Sequence, residues 1–151
     1  MDNEGPGSAP RGGLPAVDRL LDELIELRVP ADTSQIPLVR MLAQAVVVRA
    51  DYGLDAIADA KMAVDEACAQ LVELADLGAT MTCRFLVAPE GVHLTVETQS
   101  RHTQPPSDRS FGWHVLTTLA HSVRARCVPV PGDTLNTLSI DLDLGAGTAT
   151  G

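Results

Sequence analysis

DAIADAKMAVDEACAQLVELADLGATMTCRFLVAPEGVHLTVE, residues 55–97, holds two hydrophobic periods back to back, and the switch between them decides the fold. From Asp55, read as the helix cap, to about Asp76 the apolar residues lie nearly all round a helix. Ile57, Val64, Cys68, Leu71 and Val72 take one side, and Ala60, Ala63 and Ala67 take others. Such a helix is buried or lines a pocket. Gly78 ends it. The period then drops to two: Met81, Cys83, Phe85 and Val87 alternate with Thr82 and Arg84. Beyond Pro89-Glu90-Gly91, Val92, Leu94 and Val96 alternate with His93, Thr95 and Glu97, which is a hairpin with one buried face.

Upstream, Ile25, Leu27 and Val29 alternate with Glu26 and Arg28 and predict another strand, ended by Pro30. Asp32-Thr33-Ser34 offers capping oxygens to a helix over 35–51, where Pro37 is tolerable only in the first turn. Tyr52-Gly53 stops it. Downstream, residues 98–110 form a long polar loop, of a length that usually marks function or mobility. A third helix is expected from Phe111 to about Val123, then a hairpin of 123–130 and 135–144 around Pro131-Gly132-Asp133. This order predicts an α+β two-layer sandwich, with the helices on one face of a mostly antiparallel mixed sheet. The domain is expected over 23–144, between a disordered arm at 1–22 and a flexible tail at 145–151.

The chain has 151 residues, 45% hydrophobic, with 11 basic against 20 acidic side chains and a net charge of -9. That length buries a core without staples. The charge argues against a nucleic-acid binder led by phosphate contacts. Aromatics, at 3%, are too few for a base-stacking platform. No apolar run approaches the roughly 20 residues of a membrane span, and the acidic N-terminus is not a signal peptide. Cys68, Cys83 and Cys127 are odd in number and set in apolar runs, as buried reduced thiols of a cytoplasmic protein are.

Glu66 and Gln70 stand four apart, on one helical face with Asp59, Ala63 and Glu73. A carboxylate and an amide pointing together can serve as a base and a metal-side ligand, or form a solvated polar stripe. His114 and His121 are seven apart on the expected third helix, and with His93 and His102 they read as ordinary histidines, so no metal site is expected. Ser107, Ser110 and Ser122 lack a nucleophile elbow. Ile36, Leu38 and Met41 serve equally as an interface patch or as core.

Three stretches carry a resemblance: LRVPAD followed by PLVR at 27–40, AVDEACAQLV at 63–72 and SFGWHVLTTLA at 110–120. Over about Leu24 to Leu144 the chain resembles the RsbW-type anti-sigma factor and protein-serine-kinase family, and most closely its actinobacterial members. That family sits in the histidine-kinase-like ATPase superfamily. The resemblance implies a Bergerat-type nucleotide pocket between helices and sheet. It also implies sequestration of an alternative sigma factor of stress or development, release by an anti-anti-sigma (STAS-type) partner, and in many members phosphorylation of a serine of that partner with ATP and magnesium. By the resemblance Glu66 occupies the place of the catalytic base and Gly112 that of a phosphate-cradle glycine. Arg40 matches an arginine that engages the sigma factor, with Ile36 where the family carries an acid.

The departures point to a vestigial pocket. Gln70 replaces a magnesium-binding Asn and is one methylene longer. The run Glu97 to His102 has neither the Asp nor the glycines of the family's Asp-x-Gly-x-Gly. Ser110 replaces another Gly. The expectation is therefore a sequestering protein that is not an enzyme and uses no cofactor, with a vestigial site of Glu66, Gln70 and Gly112. Partner contacts are expected through Arg40 and Ile36, with a possible homodimer and with neither nucleic acid nor membrane as partner. The alternative is an active serine kinase using ATP and magnesium, with Glu66 as base.

Overall fold

The computed structural model of the chain describes residues 22–145. The expected arm and tail fall outside these residues, apart from Asp22 and Gly145 at their borders. Five strands, β1 (Glu23–Pro30), β2 (Thr80–Ala88), β3 (Gly91–Ser100), β4 (Ser122–Pro129) and β5 (Asn136–Asp143), form one sheet in the order β1-β2-β3-β5-β4. All four neighbouring pairs are antiparallel, so the sheet is not mixed as expected. The cause is topological: β2–β3 and β4–β5 are hairpins, and the crossover through α3 places β4 beyond β5, so the parallel strands β3 and β4 are not neighbours.

Register aligns the alternation of each strand with its neighbour. Phe85 faces Ile25 and Leu94 across the ladders, and Val96 faces Cys83 and Ile140. The inward row is buried on β2, β3 and β5 and mostly half-buried on the edge strands β1 and β4, and the opposite face carries charge. There Arg84 bridges Glu26 at 2.8 Å and Glu97 at 3.0 Å.

Three helices cover the inward face: α1 (Ile36–Arg49), α2 (Leu54–Leu74) and α3 (Phe111–Leu119). A 3-10 turn, Thr33–Gln35, leads into α1 with Pro37 in the first turn. Neither Asp32 nor Gln35 caps through its side chain; Ser34 instead donates to Asp32, so the expected capping is spent within the turn. Gly53, not Asp55, precedes α2, and Asp55 lies in its first turn, where the helix dipole favours an acid. Ala60, Ala63 and Ala67 are buried, and these small side chains let α2 lie close to α1, α3 and the sheet. Leu71 and Phe85 are completely buried, and truncating either to Ala costs about 2–5 kcal/mol.

The third helix ends earlier than its pattern predicts, at Leu119. The backbone turns extended at Ala120, His121 N–H donates to Asp143 O at 2.7 Å, and Ser122 pairs with Asp143. Sheet pairing captures this segment, so His121 and His114 do not share a helix. Among the described residues no helix is long and apolar enough to cross a membrane.

Candidate functional site

The cleft is built on α2. Gln70 Nε2 donates to Glu66 Oε2 at 3.0 Å, one helical turn away. The start of α3 descends onto this pair. Ser110 caps the helix, its Oγ accepting from Trp113 N–H at 3.1 Å. Gly112 follows in the first turn, so close that a Cβ there would stand 2.1 Å from Glu66 Oε2 and 2.6 Å from Gln70 Nε2. A residue without a side chain permits the approach with Glu66 and Gln70 left where they stand. The three residues singled out from the sequence thus meet in one place. They line a cavity of about 320 Å³ with Glu73, Ser107 and Ser110, near the lower end of the size range of small-ligand sites. A carboxylate there can take a proton, and backbone N–H groups at a helix start attract anions.

The segment after Val96 departs from expectation. Strand β3 does not yield to a loop at Thr98 but runs to Ser100, paired with Asn136. The alternation simply continues, with hydroxyls in the inward places. Thr98 Oγ1 donates to Thr80 O at 2.9 Å, and Ser100 Oγ donates to Leu74 O at 2.6 Å. Both residues are completely buried. The Ser100 bond pins the end of α2 to the sheet, the Thr98 bond ties β3 to the start of β2, and Arg101 adds an ion pair to Asp76 at 3.0 Å. Inward hydroxyls at the next even positions after Val92, Leu94 and Val96 were the signal that could have extended the strand.

A second hollow lies on the other side of Glu66, between α1, α2 and α3. It has a volume of about 480 Å³ and a mostly apolar lining that includes Ile36, Pro37, Met62 and Val115. Arg40 stands in its wall, Nε held by Asp65 Oδ1 at 2.8 Å and Oδ2 at 3.0 Å. Asp65 was not foreseen, since a pairing between residues 25 apart has no local sequence signal. Ile36 is buried, whereas Leu38 and Met41 are exposed, so the three apolar residues divide between core and surface. Glu66 lines both hollows.

Cys68 and Cys83 are buried, and Cys127 is partly exposed. A hydrogen bond with Cys83, and then burial, hold the Cys68 thiol well above its ordinary range, so it packs as a neutral group. Among the described residues no three His, Cys, Asp or Glu side chains converge as a metal cage.

Residues 29–139 match the histidine kinase-like ATPase domain family. The chain is 36% identical over 102 residues to the anti-sigma-F factor RsbW of Mycobacterium tuberculosis, covering 66% of this chain and 60% of that protein. It is 35% identical over 80 residues to the serine-protein kinase RsbW of Halalkalibacterium halodurans, covering 52% and 49%. It is 28% identical over 125 residues to the serine-protein kinase RsbW of Bacillus subtilis, covering 69% and 78%. The chain thus spans about 60% of the length of the mycobacterial relative. The expectation that the chain is not an enzyme is corrected by these kinase-named relatives. The altered residues leave in place the cleft in which Glu66 and Gly112 meet.

Proposed function

The chain belongs to the histidine kinase-like ATPase domain family, with RsbW proteins among its relatives, and from that premise we propose that it is an anti-sigma factor and protein-serine kinase. It sequesters an alternative sigma factor and is released by an anti-anti-sigma protein, a serine of which it phosphorylates with ATP. The position of Glu66 carries the reading: one carboxylate borders both a cleft sized for a small ligand and a partly apolar groove holding Arg40. A nucleotide in the cleft and a partner segment in the groove would both reach it.

In this arrangement Glu66 accepts the proton of the partner's serine hydroxyl. The N–H groups at the start of α3 would bind the phosphates, and Gly112 lets that helix start lie directly against Glu66 and Gln70. Glu66, Gln70 and Glu73 present oxygen donors along one wall, which suits magnesium held mainly by phosphates and water with one or two protein ligands. Gln70 would hold it, leaving Glu66 as the base, and it would neutralise charge on the transferred phosphoryl group. Thr98 and Ser100 spend their hydroxyls on backbone carbonyls and supply no carboxylate to read a base. Losing one such buried partner costs about 1–3 kcal/mol, or up to about a hundredfold in nucleotide affinity. The net charge of -9 steers the protein toward a basic, DNA-binding sigma subunit.

The test combines co-purification with sigma factors of the host, in vitro transcription, and phosphotransfer from labelled ATP to the anti-anti-sigma protein. Glu66→Gln is expected to lower phosphotransfer by at least about a hundredfold while sparing sigma binding. If no sigma factor is retained or inhibited, the proposal fails.

A further inference from the structure

The loop between β3 and α3 carries two serines into the cleft that holds Glu66. Pro106 is buried, and beside it the exposed Ser107 and the half-buried Ser110 stand in the cavity wall with Glu66, Gln70 and Gly112. The two hydroxyls are engaged differently. Ser110 Oγ accepts from Trp113 N–H as the cap and donates to Ser107 O at 3.3 Å, so its proton is engaged by that carbonyl. Ser107 Oγ only accepts, from Arg109 N–H at 3.1 Å, and among the described residues its proton has no acceptor. An exposed serine hydroxyl with a free proton therefore lines the same open cleft as a carboxylate.

We propose that Ser107 is a phosphoacceptor within the same chain, an inference that rests on the serine-kinase reading. Ser107 Oγ attacks the γ-phosphorus of bound ATP, and the new O–P bond forms as the bond from that phosphorus to the β–γ bridging oxygen breaks. ADP leaves with that electron pair, and the hydroxyl proton passes to Glu66. The product places a phosphate of charge near -2 beside Glu66 and Glu73. Like charge in the cleft then opposes the next nucleotide, so the modification limits the activity that makes it.

The full chain, without partner, is incubated with labelled ATP and magnesium, and phosphorylation is read by intact mass and peptide mapping. A single phosphoryl group on Ser107 is expected, at a rate independent of protein concentration, and lost in Ser107→Ala and Glu66→Gln. As a readout apart from turnover, Ser107→Glu is titrated with a non-hydrolysable ATP analogue and is expected to bind about tenfold more weakly or worse. Circular dichroism of each variant confirms the fold. Label on another residue, label persisting in Ser107→Ala, or unchanged analogue affinity in Ser107→Glu overturns the proposal. A parallel reaction contains the anti-anti-sigma protein: label on that protein alone overturns only the Ser107 assignment, and label on neither overturns the kinase reading as well.

Discussion

Replacing Gly112 with Ala separates stability from function in this molecule. The added Cβ would stand 2.1 Å from Glu66 Oε2, whereas ordinary contact begins at 3.4 Å. Something must therefore move by roughly 1 Å or more, and the atoms met are the ends of two flexible side chains. Glu66 and Gln70 swing aside more cheaply than α3 lifts from α2. Their mutual hydrogen bond is lost, at about 0.5–1.5 kcal/mol. Ala gains up to about 1 kcal/mol over Gly in helix propensity, which nearly offsets the loss. The melting temperature is expected to move by no more than about 4–8 °C, the shift that 1 kcal/mol gives a small domain. The carboxylate, however, is displaced from its working position, and a 1 Å misplacement costs on the order of a hundredfold in rate. Thermal unfolding and phosphotransfer to the partner protein are measured on the same preparation. Wild-type phosphotransfer in Gly112→Ala would refute the placement of Glu66. A melting temperature lowered well beyond that range would show that the helices, not the side chains, absorb the clash.

Two further perturbations probe the groove and the sheet end. Arg40→Glu sets three carboxylates together beside Asp65 and Glu66; the native pair is more than a third exposed, so the cost in denaturant unfolding is about 1 kcal/mol. Its sigma-factor complex is expected to weaken at least about tenfold in titration, and adding Asp65→Arg restores stability but not the complex. An unchanged complex would remove Arg40 from the interface. Tyr52 OH accepts from Val92 N–H at 3.1 Å and donates to Gly145 O, and Tyr52→Phe is expected to cost about 1–3 kcal/mol. Burial foremost raises the Tyr52 pKa, so its neutral form is the one the fold favours. That contribution is complete below the unfolded value of about 10 and is lost as pH rises through the folded one. Urea unfolding against pH should show an alkaline decline that Tyr52→Phe flattens; an identical decline in both proteins would contradict this.

The local elements are legible in the amino-acid order, because their causes are local. The alternation of Met81 to Val87 and Val92 to Val96 needs no more than a pleat and a turn, and the apolar girdle of Ile57 to Val72 needs only the helical period. That order also places Glu66 and Gln70 on one helical face. The tertiary structure alone decided that all strand pairs are antiparallel and that β3 runs on to Ser100, because ladder partners lie tens of residues away. It ended α3 at Leu119, where the attraction of β5 outweighs a continuing helical pattern. It put Asp65 on Arg40, and it brought Gly112 down onto Glu66. A one-dimensional pattern specifies which face of an element is buried. Which two faces meet, and how closely, is settled only when whole elements pack at their preferred distances and small side chains let the backbones approach.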